Sequence, residues 1–463
     1  MEKKSFIHPY IPNSVPEIKK KMLKEIGIKD IDELYSDIPG GLRLKRKLNL
    51  PDPCLSELEL RRHTEKILEK NRSCEEYISF LGGGCAQHYV PAICDEISHR
   101  SEFLTAYAGE PYEDAGRFQA LFEYESLMAE LLDFDVVNVP TYDWGQAAST
   151  SIRMAGRITK RHKVLIADTL SPDRLAIIRN YCQPVMIIEM IAHHPETGLI
   201  DLKDLESKMT RDVAAIYFEN PSYLGFIETQ GESMANMAHK NKSLSVVGVD
   251  PISLGVLKPP SQYGADIACG DIQGLGNHMS YGGSLGGFIA TRDEEQFVME
   301  YPSRLFGIAK TAAKGEWGFG DVAYERTSFA GREKGKEFVG TASALYGISA
   351  AVFLSLLGPQ GMRELGEHIL QKSHYAAKKI TEAAGVCLRF KSAFFKEFVV
   401  DFGRTGKPVA GINRMLLDKG IFGGKDLSRE FPSLPSCALY CVTEMLEKRD
   451  IDRLANALRD SLS

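Results

Sequence analysis

An aspartate at the end of a predicted buried strand is the residue whose position most clearly suggests chemistry. Asp250 follows the apolar run SVVGV (245–249) and precedes Pro251. An acidic side chain at the carboxyl end of a strand in an open α/β sheet faces the crevice where such sheets bind ligands. One use of this carboxylate is to hold the protonated pyridine nitrogen of pyridoxal phosphate. Spacing alone favours the other interpretation, a carboxylate that satisfies the turn before the proline.

The segment after this strand, GADIACGDIQGLGNHMSYGGSLGGFIATR (264–292), is rich in glycine and contains no lysine. A pyridoxal enzyme needs a lysine for its Schiff base, usually in a loop that follows the aspartate strand. No lysine occurs from 259 to 309, and Lys258 lies too close to the strand and precedes two prolines. The glycines do not form a GxGxxG motif between a strand and a helix, so they predict left-handed turns and close backbone approach instead of dinucleotide binding.

Two other loops contain candidate ligand residues. TYDWGQAAST (141–150) follows a strand and opens a helix, so backbone N–H groups at its start could hold a phosphate, although an ordinary helix start explains it equally well. GGGCAQHYVP (82–91) predicts either a ligand-facing loop or a tight turn with a packed aromatic ring. The candidate residues in these loops are Asp143, Gly145, Gln146, Ala147, His88 and Tyr89.

Composition excludes several classes of protein. The chain has 463 residues, 44% hydrophobic and 25% charged, which is typical of a folded globular protein of more than one domain. A net charge of −6 gives no general electrostatic reason to bind nucleic acid or an anionic membrane. The nine cysteines and the His193–His194 pair lack metal-ligand spacing, so we expect buried, reduced thiols, no metal site and a cytoplasmic protein.

The order of predicted elements indicates an α/β protein with an N-terminal arm (1–75), a large domain (76–325) and a small C-terminal α/β domain (326–463). The arm is basic and poor in apolar residues, with helices over 14–26 and 56–71, and we expect it to wrap another surface. From residue 76, strands alternate with helices, which predicts a mostly parallel sheet covered on both faces. Predicted strands occupy 136–139, 163–167, 184–188, 213–218, 245–249, 267–269 and 287–291, and predicted helices include 341–357, stopped at Gly358–Pro359, and 361–384.

Several collinear blocks resemble one known family over nearly the whole chain. They are YIPNSVPEIKKKMLKEIGIKDIDELYSDIP (10–39), LRLKRKLNLP (42–51), HYVPAICDEISHRSEFLTAY (88–107), QALFEYESLMAELLDFDVVN (119–138), VDPISLGVLKPPSQYGADI (249–267), SYGGSLGGFIATR (280–292), REK (332–334), LLGPQGMREL (356–365), FFKEFVV (394–400) and CVTE (441–444). In these blocks the chain is similar to the glycine cleavage system P-protein, and within it to subunit 1 (A) of decarboxylating glycine dehydrogenase.

The resemblance implies a fold type I pyridoxal-phosphate architecture, with a seven-stranded large domain and a small C-terminal domain. It further implies two homologous subunits, of which the B-type partner carries the Schiff-base lysine and the cofactor, typically in an α2β2 assembly. Asp250 would then be a remnant of a cofactor site, together with the turn from Asp143 to Ala147. The implied reaction of the complex is glycine decarboxylation, with transfer of the aminomethyl group to the lipoyl arm of the H-protein. Residues of the matched blocks that would line the shared cleft or the subunit contact are His88, Tyr89, Tyr107 and Arg332.

The sequence departs from the family pattern in the loops around the predicted site. TYDWGQAASTS (141–151), for example, places the bulky Trp144 where a small residue is usual, and 105–116, 82–91, 270–284 and 332–345 also differ. Two alternatives therefore remain open. One is a subunit of a paralogous pyridoxal enzyme that acts on another amino acid or amine, and the other is a non-catalytic assembly or regulatory module.

Overall fold

The computed structural model describes residues 7–46, 48–103, 117–283, 285–302, 304–328, 330–337 and 343–462. The chain divides into two compact units, Met1–Arg72 and Ser73–Ser463. The first unit contains two helices, α1 (Pro16–Ile26) and α2 (Glu57–Leu68), and a short 3-10 helix over Ile31–Tyr35. None of its described residues is buried.

The ends of the two N-terminal helices show which capping signals the chain uses. Ser56 caps α2, since its hydroxyl accepts the backbone N–H of Glu59 at 3.1 Å. Ser14, followed by Glu17, also suggests a capping box from its sequence, but this prediction is wrong: the residue at the N-cap of α1 is Val15, which has no side-chain acceptor, and Pro16 begins the helix.

The second unit is built from strands and helices in regular alternation up to about residue 300. Its elements in that part are β1 (Ile78–Ser79), α3 (Ala92–Ser98), α4 (Phe118–Leu132), β2 (Val136–Val137), α5 (Trp144–Thr159), β3 (Lys163–Ala167), α6 (Pro172–Cys182), β4 (Ile187–Ile191), α7 (Leu202–Lys208), β5 (Val213–Glu219), α8 (Gly231–Lys240), β6 (Leu244–Gly248), β7 (Ile267–Asp271), β8 (Gly287–Thr291) and α9 (Glu295–Val298). The remaining elements are β9 (Phe306–Lys310), β10 (Trp317–Asp321), α10 (Ala344–Ile380), β11 (Cys387–Leu388), β12 (Glu397–Asp401), α11 (Val409–Asp418), β13 (Ile421–Phe422), β14 (Lys425–Asp426), β15 (Cys437–Cys441) and α12 (Lys448–Leu462).

A seven-stranded sheet organises the second unit, with the strand order β2-β8-β7-β6-β5-β3-β4. The strands β7, β6, β5, β3 and β4 pair in parallel, while β8 runs antiparallel to both of its neighbours. Every residue of β5 is buried, as expected for a strand with helices on both faces of the sheet. The predicted mostly parallel seven-stranded sheet is therefore confirmed.

A smaller antiparallel sheet, β11-β12-β15-β14, forms the C-terminal part with its own apolar core. The long helix α10 joins the two cores. Its first half packs Phe353 and Leu354 into the core of the large sheet, and its second half packs Ala376 and Ile380 into the core of the small sheet. Among the described helices, α10 alone is long and apolar enough to cross a membrane, but its buried side chains pack within these two cores.

Local details differ from the sequence prediction in three places. The break at Gly358 is present as a kink with φ 60°, but Pro359 starts the next helical turn directly, so no loop separates two helices. The strand predicted over 184–188 is β4, displaced to Ile187–Ile191, because 182–186 form a turn that ends α6. The expectation of buried thiols is wrong for Cys54 and Cys387, which are exposed.

Gly225 packs closely against the backbone of β12, and a substitution there tests this contact. It has φ +91°, and a Cβ atom there would lie 2.1 Å from the carbonyl oxygen of Glu397 at the start of β12. We expect Gly225→Ala to lower the free energy of unfolding by about 3 kcal/mol, since both the strained backbone and the clash must be relieved. Gly411→Ala is the control: it lies in α11 with only ordinary contacts, so alanine should be neutral or slightly stabilising. Urea unfolding of both variants measures the difference, and equal midpoints would contradict the prediction.

Candidate functional site

The carboxyl ends of the central parallel strands meet at one edge of the large sheet. β5 ends at Glu219, β7 ends at Asp271, and Asp250 lies two residues beyond the end of β6. Asp250 and Asp271 line a cleft that is closed from the other side by the segment Phe395–Glu397, just before and at the start of β12. The cleft therefore lies between the edge of the large sheet and the C-terminal sheet, where open α/β proteins bind ligands.

Lys396 enters this cleft and forms an ion pair with Asp250, with 2.7 Å between Nζ and Oδ2. Both side chains are only 15% exposed. Burial by itself would raise the pKa of Asp250, but the ammonium of Lys396, with His88, holds that pKa below its usual value. Burial would likewise lower the pKa of Lys396, and the carboxylate of Asp250 instead raises it. Both groups are thus charged at neutral pH, each as the counter-ion of the other.

The ion pair continues into a buried chain of hydrogen bonds. Nε2 of His88 lies 3.4 Å from Nζ of Lys396, and Nδ1 of His88 lies 2.9 Å from Oε2 of Glu444. Lysine only donates, so Nε2 accepts and Nδ1 carries the proton that is donated to Glu444. Burial would raise the pKa of Glu444, but His88 and the backbone N–H of Tyr89, at 2.7 Å, lower it. Glu444, His88, Lys396 and Asp250 therefore form one connected relay of polar contacts, in which a neutral imidazole and one ammonium lie between two carboxylates.

Trp144 and Arg174 fill the neighbouring part of the cleft. The guanidinium of Arg174 lies over the indole ring, 4.2 Å from its centroid, and forms two hydrogen bonds to Glu219 at 2.7 and 2.8 Å. The indole N–H of Trp144 donates to the hydroxyl of Tyr217 at 3.1 Å. Gly248 at the end of β6 makes room for this ring, because a Cβ atom there would lie 2.9 Å from the indole nitrogen.

The turn at the start of α5 is satisfied by its own side chains. The carboxylate of Asp143 accepts the backbone N–H of Gln146 at 2.8 Å, and Oε1 of Gln146 accepts the N–H of Tyr142 at 2.8 Å. Gly145 packs against Ile177 of α6, where a Cβ atom would lie 2.6 Å from Cδ1, and Ala147 is fully buried. The carboxylate of Asp143 therefore caps α5 and places a negative charge at the helix start.

Charge and volume in the cleft both disagree with pyridoxal phosphate. Two ion pairs lie at the cleft, Asp250 with Lys396 and Glu219 with Arg174. Asp271 and Glu397 add two further carboxyl groups. Burial raises the pKa of Asp271 to about 6 and also raises the pKa of Glu397. The carboxylates consequently outnumber the cations Arg174 and Lys396, which is unfavourable for a phosphate dianion. The free volume is about 50 Å³, whereas small-molecule pockets usually enclose roughly 300–1,000 Å³. The residues of this cleft do not fit the cofactor.

The other predicted site residues fall in different places. His88 is buried in the relay, whereas the side chain of Tyr89 is 60% exposed. Arg332 is exposed on a 3-10 helix over Arg332–Lys334 and does not line the cleft, and Tyr107 lies outside the described residues. Sequence reasoning did not single out Lys396 or Glu444, although both lie in matched family blocks, FFKEFVV and CVTE. Their place in those blocks is a weak signal, because other blocks also contain lysines and acidic residues.

Comparison with known proteins finds relatives that match nearly the whole chain. The chain is 40% identical over 98% of its length to the probable glycine dehydrogenase (decarboxylating) subunit 1 of Staphylothermus marinus, and 39% identical over 98% to that of Saccharolobus solfataricus; in both cases 98% of the relative is covered. A crystal structure of glycine decarboxylase (P-protein) of the glycine cleavage system, in inhibitor-bound form, matches with TM-score 0.81 and 31% identity over 98% of this chain and 100% of that one.

A more distant structure shows the fold alone. The sphingosine-1-phosphate lyase of Burkholderia pseudomallei matches with TM-score 0.64 at 12% identity, over 92% of this chain and 94% of that one. The predicted fold type I pyridoxal-phosphate architecture is confirmed by these neighbours. The family model of the glycine cleavage system P-protein matches residues 8–458. The chain therefore belongs to the glycine cleavage system P-protein family.

Proposed function

We propose that this chain is the subunit without a Schiff-base lysine in a two-subunit glycine decarboxylase. In this proposal the partner subunit holds pyridoxal phosphate covalently. The ion pair of Asp250 with Lys396 is the main support for this proposal. Asp250 is the carboxylate that would hold the pyridine nitrogen of the cofactor, and here it already has a counter-ion from the chain itself. The lysine-free stretch from 259 to 309 agrees with it. The relatives are named subunit 1, which implies a subunit 2. We further propose that the two subunits form an α2β2 assembly, and that this assembly works with the lipoyl H-protein in the cytoplasm.

The N-terminal unit supplies a surface for the partner in this proposal. Ile18, Met22 and Ile26 lie four residues apart on α1, which places them on one face of the helix, and each is more than 40% exposed. A stripe of this kind is usually buried against another surface. Contact with the partner subunit would bury it, as expected for an arm that wraps a neighbouring chain.

The departures around Trp144 no longer favour a different substrate. Trp144 lies beneath Arg174 and bonds to Tyr217, so its size fills this chain's own closed cleft. A residue buried in this way does not select a substrate bound elsewhere. Glycine, the substrate in the names of the relatives, is accordingly the substrate we propose.

Reconstitution tests the assignment of roles. The full chain, the lysine-bearing subunit of the same organism and lipoylated H-protein should together exchange the carboxyl group of glycine with labelled bicarbonate. Either subunit alone should fail, because neither provides the whole site. Borohydride reduction followed by peptide mapping should place the pyridoxyl group on a lysine of the partner. A pyridoxyl-lysine in this chain, or exchange of another amino acid in preference to glycine, would contradict the proposal.

The Asp250–Lys396 pair predicts a pH-dependent stability. Lys396→Met leaves a buried carboxylate without its counter-ion, so we expect the free energy of unfolding at pH 7 to fall by about 3 kcal/mol. The native pair lowers the pKa of Asp250, so its contribution is present above the unfolded pKa of about 4 and is lost as the pH falls through the folded value. In the variant, burial without the counter-ion raises the pKa of Asp250. The difference in the free energy of unfolding between the native chain and the variant should therefore shrink from pH 7 towards pH 4.

Two other variants serve as controls for this measurement. Lys391→Met removes an exposed ion pair with Glu196, 2.6 Å long and 74% and 61% exposed, and should cost less than about 1 kcal/mol. Asp250→Asn in combination with Lys396→Met removes the uncompensated charge and should restore most of the loss. Equal effects of Lys396→Met and Lys391→Met in urea unfolding at pH 7 would disprove the role of the buried pair.

A further inference from the structure

A second cavity of about 510 Å³ lies apart from the closed cleft and is strongly basic. We call it the basic groove; its cationic lining consists of Arg153, Arg157, Lys160, Arg161 and Lys336, and His162, Val185 and Met186 also line it. None of these residues belongs to the cleft at Asp250. The proposed function leaves the basic groove without a role.

The basic groove lies at the opposite edge of the large sheet from Asp250. The cap Asp143 at the start of α5 is near the cleft, and Lys160 follows the last residue of the same helix. The 16 residues of α5 span about 24 Å at 1.5 Å per residue. Arg161 and His162 lead directly into β3 at its amino end, and Val185 and Met186 precede β4 in the same way. A ligand in the basic groove would therefore be separated from the cleft by the length of the sheet.

Part of the positive charge is already neutralised within the groove. Glu337 pairs with Arg153 at 3.1 Å and with Arg157 at 2.9 Å. Glu300 pairs with Arg157 and, at 3.4 Å, with Lys336. Two carboxylates thus face five cationic side chains, which leaves an excess of three positive charges on a chain whose net charge is −6.

The excess charge is carried by side chains that are available to a ligand. Lys160 and His162 are exposed, and neither side chain has a partner among the residues that the structure describes. Nη1 of Arg161 donates to the backbone carbonyls of Val213 and Asn241 at 2.8 and 2.9 Å, which fixes the position of this guanidinium. Its charge acts on the carboxylate of Asp212, but the two groups form no direct ion pair among the described residues. A fixed arginine beside an exposed lysine attracts carboxylates or other anions.

Shape and apolar surface indicate which anion fits. The two arginines with carboxylate partners cannot also converge on a small dianion, and the groove is open and far larger than a phosphate. Val185 and the neighbouring Ile187 are 50% and 63% exposed, so apolar side chains adjoin the cations. We propose that the basic groove binds an acidic segment of a partner protein in which apolar residues alternate with aspartate or glutamate. Charge would steer the encounter, and the apolar contacts would add affinity.

Peptide binding to the full-length chain tests this proposal without any catalytic assay. A fluorescent peptide of alternating Leu and Glu should bind saturably by anisotropy, and more weakly as salt rises from about 50 to 200 mM. A peptide of alternating Ser and Glu should bind at least about fivefold more weakly, since it lacks the apolar contacts. Lys160→Glu should weaken binding of the Leu–Glu peptide about tenfold or more by reversing a charge in the groove.

Lys240→Glu is the matched control, because Lys240 is equally an exposed lysine at the end of a helix, α8, away from the groove. It should leave the affinity within about twofold of the native chain. Equal losses from Lys160→Glu and Lys240→Glu, or no saturable binding, would overturn the proposal. Displacement of the peptide by inorganic phosphate at equal concentration would also overturn it, by showing a small-anion site. A failure here would leave the reconstituted glycine exchange unaffected, so the two proposals fail separately.

Discussion

The ion pair between Asp250 and Lys396 is the interaction on which the arrangement of this protein depends. It joins the carboxyl edge of the large parallel sheet to the strand β12 of the C-terminal sheet. A buried ion pair offsets the cost of its desolvation only where further hydrogen bonds satisfy the remaining polar atoms. His88 and Glu444 provide them, and Glu444 in turn accepts the N–H of Tyr89. One chain of polar contacts thus holds two separate apolar cores in a fixed relation.

The same interaction explains why the cleft is filled. An aspartate at this strand end, if it lacked both a bound cation and a counter-ion, would be an uncompensated charge in a partly buried place. In this chain the ammonium of Lys396 compensates the charge of Asp250. The neighbouring carboxylate of Glu219 is compensated in the same way by Arg174, which stacks on Trp144. Asp250 and Glu219 therefore both have counter-ions from within the chain, and little space remains for a ligand.

Sequence reasoning could predict the sheet and the position of Asp250 because both depend on local patterns. Buried strands are apolar throughout, so the strand that ends before Asp250 could be predicted without a structure. Spacing left the role of Asp250 open between a turn and a cleft, and the structure shows both: its carboxylate accepts the N–H of Ile252 at 3.1 Å and pairs with Lys396. The partner of Asp250 could not be found in that way, because Lys396 lies 146 residues away, just before strand β12, and reaches the cleft only through the packing of the two cores. The turn at 141–150 remained ambiguous for a related reason: its local sequence suits both a phosphate cradle and an Asp143 cap, and only the structure shows the cap, in which Asp143 accepts the N–H of Gln146.

The two edges of the large sheet differ in how completely their charges are satisfied. At the carboxyl edge, Asp250, Glu219 and Glu444 have partners that come from elements far apart in the chain. At the amino edge, Lys160 and His162 extend from the end of α5 into solvent, beside apolar side chains of the edge strand β4. Charge that a fold satisfies internally stabilises that fold, whereas surplus charge on an exposed edge does not. The cleft at the carboxyl edge is thus filled by the chain's own groups, and the opposite edge is the surface where an external anionic group would gain most.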